Sequence, residues 1–289
     1  MLAEDQKKVV FRIFRFNPGD GGAPRFQEYT VPVQKGMTVL DGLVYIKENL
    51  DGTIAYRSSC RMGICGSCGM IINGFPQLAC QTQILHLESQ VVEVRPLSNY
   101  PVIKDVVPDL SSLMRNHTAV RPYIIRLDDE KERPTREYLQ SPQELEAYLQ
   151  FAYCIKCGLC LAACPTVATD ASFLGPQALA AAYRYIADSR DSGMEARAPI
   201  LDTPHGVWRC HFAGACTEAC PKGVDPALAI QLLKRALVLR TLRLARVQAP
   251  APVAPPLAPA PRPDIPKAPE PTVALVREQK SEGVEERRS

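Results

Sequence analysis

Cys154-Ile155-Lys156-Cys157-Gly158-Leu159-Cys160-Leu161-Ala162-Ala163-Cys164-Pro165 decides how the chain is read. Its C-x2-C-x2-C-x3-C-P spacing is the bacterial ferredoxin run, in which three closely spaced thiolates cup one cubane and the fourth reaches a different cluster. The proline ends the loop without adding an unpaired N–H. An incomplete second copy follows at Cys210-x5-Cys216-x3-Cys220-Pro221. Laid over the first, Cys210 matches Cys154, Cys216 matches Cys160 and Cys220 matches Cys164, while Ala213 stands where Cys157 does. Crossed ligation gives one complete set, Cys154, Cys157, Cys160 and Cys220, suited to a [4Fe–4S] cluster. The other set, Cys164, Cys210 and Cys216, is one short. Because Ala213 offers no donor atom, that set suits a [3Fe–4S] cluster, with a cubane carrying a non-cysteine ligand as the alternative.

Further towards the N-terminus, Cys60-x4-Cys65-x2-Cys68 and a later Cys80 follow the plant-type [2Fe–2S] spacing. Gly63, Gly66 and Gly69 are interleaved with these cysteines, and they are expected to let backbone N–H groups approach the sulfurs. A zinc site fits less well, since structural zinc usually takes paired C-x2-4-C knuckles. The three motifs absorb all eleven cysteines, an odd number that disulfides cannot pair completely.

Composition agrees with a reduced, folded setting. The 289 residues are 46% hydrophobic and 22% charged, which excludes wholesale disorder. A net charge of +3 excludes a broadly polybasic nucleic-acid binder. The N-terminus lacks a signal-peptide layout and no stretch reaches the apolar length of a membrane span, so the chain reads as soluble and cytosolic. Clustered cysteines in such a compartment are more often metal ligands than disulfides.

Alternation over Val9–Phe16 and Phe26–Val33 predicts a hairpin around a turn at 17–24. Val39–Leu50 carries apolar residues at helical spacing and stops at Asp51-Gly52. Met70–Ile72, Gln77–Ala79 and Val91–Val94 are short strand candidates. Beyond residue 125 no strand is expected. Helices are expected over Pro142–Tyr153 with Ser141 as cap, over Pro176–Asp188, and over Pro226–Val247 with Asp225 as cap. The expected division is a mixed α and β unit over 1–105, a helical unit over 106–247 and a tail over 248–289. Ten of the 26 prolines fall within 249–271, so the tail is expected to be extended and its polar end disordered.

The order of the three motifs resembles the iron–sulfur subunit of succinate dehydrogenase and fumarate reductase. Ser59 to Gly69, Phe173-Leu174-Gly175-Pro176, Arg184-Tyr185, Asp188-Ser189-Arg190-Asp191 and Gly206-Val207-Trp208 support the likeness. It covers about residues 9–245. The resemblance implies an α+β chain, with an N-terminal β-grasp ferredoxin-like domain and a C-terminal α-helical ferredoxin domain. It implies an electron-transfer role between the covalent FAD of a flavoprotein subunit and a quinone held by a membrane-anchor subunit, which in some relatives binds haem b. The dicarboxylate chemistry belongs to the flavoprotein, so no catalytic residue is expected here. The chain would lie peripherally on the cytoplasmic side of the membrane. Asn17-Pro18 and Arg121 to Ile125 resemble the quinol:fumarate reductase branch. Thr166 to Thr169 replaces a tryptophan pair of many ubiquinone-type relatives and favours menaquinone. Subunits of other flavin-linked reductases, such as heterodisulfide- or thiol-linked ones, usually keep two complete cysteine runs, and Ala213 argues against them.

Lys234, His211, Trp208 and Pro165 are the candidate neighbours of the quinone. Each has a plainer alternative: a solvated helix lysine for Lys234, a residue bonding cluster sulfur or backbone for His211, and a shielding core residue for Trp208. His86, His117 and His205 are read as surface residues. Arg240, Arg243 and Arg246 step by three on the last helix, and a shared basic stripe would suit anionic headgroups or an acidic anchor.

Overall fold

The computed structural model describes residues 7–128, 133, 135, 137–244 and 253–254. Strand β1 (Lys8–Arg15) alternates in burial, so Val9, Phe11 and Ile13 enter the core. It pairs antiparallel with β2 (Arg25–Pro32), from Lys8 opposite Pro32 to Arg15 opposite Arg25. Helix α1 (Val39–Asn49) starts on a reciprocal cap, in which Thr38 Oγ1 accepts from Asp41 N and the Asp41 carboxylate accepts from Thr38 N. Its buried Val39, Leu40, Leu43 and Ile46 face the sheet, and Gly42 leaves room for the Phe11 ring. Strands β3 (Gly69–Ile72), β4 (Phe75–Leu78) and β5 (Val91–Arg95) complete the sheet in the order β2-β1-β5-β3-β4. The β1–β5 pair is parallel and the others are antiparallel. One helix held by this mixed sheet is the β-grasp arrangement.

Beyond β5, a hairpin of β6 (Val102–Lys104) and β7 (Val107–Pro108) had no sequence signal. The division expected at 105/106 falls inside it. Asp105 ties this hairpin back to the sheet unit: its carboxylate accepts from Arg15 Nε at 3.0 Å, Phe16 N at 3.0 Å and Ala55 N at 2.8 Å. Arg15, 6% exposed, also reaches Asp51 at 2.6 Å and Tyr29 at 2.5 Å. Removing one partner of a buried pair of this kind costs about 3–5 kcal/mol.

Helix α2 (Ser111–Ala119) leads into the helical part. A two-residue strand, β8 (Glu137–Tyr138), precedes α3 (Pro142–Ala152), which is capped by Ser141 as expected. The first cysteine run carries the short helix α4 (Leu159–Ala162), and α5 (Pro165–Thr169) starts at its closing proline. Then come α6 (Pro176–Ile186), α7 (Met194–Leu201), α8 (Ala215–Glu218) and α9 (Pro226–Thr241). α6 lies along α9 and α3 along α6. Leu179, Ala182, Ile230, Leu233 and Leu237 form the core between α6 and α9. Arg197, fully buried on α7, holds Asp191 through two nitrogens and donates to the carbonyls of Val120, Arg121 and Tyr123. This fastens the 120–123 segment to α7.

Three expectations are corrected. A strand does occur after residue 125: β8 pairs antiparallel with β9 (Val253–Ala254), inside the proline-rich stretch. The rest of the 248–289 tail lies outside the described residues. The last helix ends at Thr241 rather than Val247, and Arg243 takes a left-handed backbone (φ 55°), which breaks the helical step. The basic stripe is therefore not formed as expected: Arg240 is bound to Glu195 on α7, Arg243 is off the helix, and Arg246 lies outside the described residues.

Candidate iron–sulfur centres

The loop between α1 and β3 gathers the first four cysteines. Cys60 and Cys65 stand on the loop, Cys68 enters β3, and Cys80 follows β4. Ala79 N donates to Cys68 O at 3.1 Å, which brings Cys80 alongside Cys68. Met62, Ile64 and Cys65 donate backbone N–H groups to Cys60 Sγ at 3.5, 3.3 and 3.2 Å. Left-handed Arg61 and Gly63 give the loop this curl. The Ser67 hydroxyl, then the surrounding backbone, brings the Cys65 thiol down to about 6, while burial pushes Cys68 up to about 12. N–H groups turned on a sulfur suit a thiolate ligand.

Gly63 helps curl the loop whose N–H groups reach Cys60, and Gly66 and Gly69 have a second role in making room for the next centre. A Cβ on Gly66 would lie 2.7 Å from Cys157 Cβ, and one on Gly69 would lie 3.3 Å from Cys157 O. The first loop therefore rests directly on a cysteine of the second motif.

Cys154, Cys157, Cys160 and Cys220 border one cavity, although the last comes from the other motif. Burial, then the charges of Cys154 and Cys220, pushes Cys157 up to about 11. Burial, then Cys157, Cys154, Cys216 and Cys220, pushes Cys160 well above the usual thiol value. Cys216 rises to about 11 through burial and then through Cys164 and Cys210. Cys160 therefore neighbours Cys216 as well as Cys157, Cys154 and Cys220, and Cys216 neighbours Cys164 and Cys210. Among the described residues, no group of three or more His, Cys, Asp or Glu side chains is arranged to hold a single metal ion. Cys154, Cys157, Cys160 and Cys220 border a space instead, as a multi-iron cluster requires and tetrahedral zinc does not. The donor sets therefore fit iron–sulfur clusters.

The two motifs repeat in backbone as well as in sequence. Lys156 and Phe212 both have positive φ (54° and 60°), and Gly158 and Gly214 follow at 85° and 78°. A four-residue helix comes next in each, α4 and α8, and the two helices touch.

Residues outside the motifs hold the first of these loops. Asn99 Nδ2 donates to the carbonyls of Leu161, Ala162 and Cys164 at 2.8, 3.3 and 3.2 Å. Tyr100 OH donates to Gly158 O at 3.2 Å. Sequence reasoning missed both, and it missed Gln177, which reaches Cys154 Sγ at 3.9 Å and His117 Nδ1 at 3.1 Å. His117 is half-buried, which corrects its reading as a surface residue. His86 and His205 are exposed as expected, and His205 bonds Asp170 at 2.9 Å.

The four candidate quinone neighbours all adjoin the third set. Pro165 follows Cys164 and is exposed; His211 follows Cys210 and is exposed. Lys234 donates to Cys210 O at 3.0 Å, so it is not a free helix lysine. Trp208 is 44% exposed and donates to Asp202 at 2.7 Å, which corrects its alternative reading as a core residue.

A [2Fe–2S] iron–sulfur cluster binding domain model matches residues 10–115, and a 4Fe-4S dicluster domain model matches 150–224. The fumarate reductase iron-sulfur subunit of Mycobacterium tuberculosis is 48% identical over 82% of this chain and 95% of its own length. This chain belongs to the family of fumarate reductase and succinate dehydrogenase iron–sulfur subunits. The Haemophilus influenzae fumarate reductase subunit is 44% identical over 75% of this chain and 88% of its own. The Paracoccus denitrificans succinate dehydrogenase subunit is 40% identical over 80% and 88%. In solved structures, a chain of the Mycobacterium smegmatis Sdh1 complex superposes with a TM-score of 0.69 at 27% identity, covering 82% of this chain and 98% of that one. As a member of the family, the chain is the electron-transfer subunit of a larger oxidoreductase complex and carries iron–sulfur clusters. No helix among its described residues is long and apolar enough to cross a membrane.

Proposed function

We propose that this subunit passes electrons between the covalent FAD of a flavoprotein partner and a membrane quinone, menaquinone by preference. Cys60, Cys65, Cys68 and Cys80 would hold [2Fe–2S]; Cys154, Cys157, Cys160 and Cys220 would hold [4Fe–4S]; Cys164, Cys210 and Cys216 would hold [3Fe–4S]. Bound there, the clusters supply one-electron carriers in series. The chain's own residues space and insulate them. The observation that carries this reading is the direct packing of Gly66 on Cys157, which leaves no room for intervening side chains between the first and second centres. The shared border at Cys160 and Cys216 joins the second centre to the third.

The two ends differ in what they offer a partner. Met62 and Ile64, 68% and 55% exposed, flank Cys60 and suit an apolar flavoprotein surface. Pro165 and His211 each follow a cysteine of the third set, Trp208 precedes Cys210 by two residues and Lys234 bonds the Cys210 carbonyl, which favours the quinone and the anchor subunit there. The anchor would hold the chain on the cytoplasmic face of the membrane. Fumarate reductase subunits at 48% and 44% identity, against 40% for a succinate dehydrogenase subunit, favour the fumarate reductase branch. Purified complex should contain about nine irons in this chain and show a [3Fe–4S] electron paramagnetic resonance signal on oxidation. Zinc in place of iron, or no such signal, would refute the ligand assignment. Faster turnover with a ubiquinol than with a menaquinol analogue would refute the quinone preference.

A further inference from the structure

Gln177, the second residue of α6, is 2% exposed and borders the cavity of Cys154, Cys157, Cys160 and Cys220. Its Nε2 lies 3.9 Å from Cys154 Sγ and 3.1 Å from His117 Nδ1, and its Oε1 is buried without a partner. A buried carbonyl without a partner costs free energy that a leucine of similar size would avoid. The nitrogen end must therefore return more than an ordinary neutral hydrogen bond. A bond to a thiolate does so, because it is charge-assisted.

A thiolate at Cys154 selects which way the amide points. An amide nitrogen has two N–H donors. One is directed at sulfur and the other at Nδ1, so the His117 ring accepts there and carries its proton on Nε2. The opposite orientation would set the amide oxygen against the sulfur lone pairs. Burial, and then the charge of Lys156, lowers the His117 pKa, in keeping with a neutral, accepting ring.

We propose that Gln177, oriented by His117, donates a hydrogen bond to Cys154 and raises the reduction potential of the second centre. The donor stabilises the reduced, more negative centre more than the oxidised one, and this is how hydrogen bonds to sulfur tune potential. Gln177 and His117 are positioning residues, and their role rests on the ligand set proposed above.

An EPR-monitored redox titration of the assembled complex reads each centre separately. Gln177→Leu should lower the midpoint of the second centre, leave the other two in place and retain wild-type iron content. His117→Phe should shift the same midpoint in the same direction by less. An unmoved midpoint in fully loaded Gln177→Leu overturns the inference, whereas a wild-type complex without a [4Fe–4S] signal strikes the ligand set instead. If the variant fails to assemble, the wild type decides. With isotope-labelled glutamine, pulsed EPR of the reduced second centre should show an exchangeable proton and a coupled amide nitrogen, and the absence of both overturns the inference.

Discussion

Two loops of this subunit share a backbone and differ in company. Cys154–Pro165 and Cys210–Pro221 have the same positive-φ pair and the same four-residue helix. The first is covered by Gly66 from the sheet unit, clamped by Asn99 and Tyr100, and faced by Gln177. The second leaves His211, Phe212 and Ala213 exposed, and Lys234 holds its first cysteine by the carbonyl. Cysteine and glycine spacing sets the loop; distant residues decide whether the loop is an interior station or a terminus open to a partner.

The comparison breaks most sharply at the crossed cysteines. Cys220→Ser should abolish the second centre and spare the third, although it lies in the second loop, and Cys164→Ser should do the reverse. EPR of the two variants separates the signals; loss within the home loop in both would end the crossed assignment. Next in size, Ala213→Cys restores the missing member of the copy and should replace the [3Fe–4S] signal with that of a cubane, with one more iron by metal analysis.

Alanine at the paired glycines sharpens the same contrast at lower cost. Both carry left-handed strain of about 1–2 kcal/mol. At Gly158 the added Cβ would lie 3.0 Å from Tyr100 OH and 3.3 Å from Leu110 Cδ2, whereas at Gly214 nothing lies within 4 Å. Gly158→Ala should therefore destabilise by about 1–3 kcal/mol more than Gly214→Ala, from overpacking, as read from denaturation midpoints of the loaded protein. Smallest is Lys234→Met, which removes the donor to Cys210 O and should cost about 1 kcal/mol. It should broaden the EPR signal of the third centre and leave that of the second unchanged.

The sequence was most informative where chemistry is local. Cysteine spacing singled out the three candidate centres, and Ser141 and Asp225 marked helix starts, because a cap needs only its own first turn. Four-residue helices such as α4 and α8 are too short to show a period, and the two-residue strands β8 and β9 are too short to alternate. The last helix was read too far because Leu242 and Leu244 prolong the apolar pattern, and no glycine or proline announces the stop at Thr241. Asn99, Tyr100, Gln177 and His117 belong to no motif. Asn99 and Tyr100 act on residues about 60 positions away, and His117 meets Gln177 across a similar separation.

The cavity of the second centre has a history built into its lining. Three of its cysteines sit within one short loop, while the fourth, Cys220, comes after α6, α7 and α8 in the chain. A nascent chain that has emerged only as far as Cys164 presents three sides of a vessel and no lid. On the ligand set proposed above, the vessel closes once the ribosome has delivered Cys220, and cluster delivery to this position would wait on synthesis of nearly the whole folded part of the subunit.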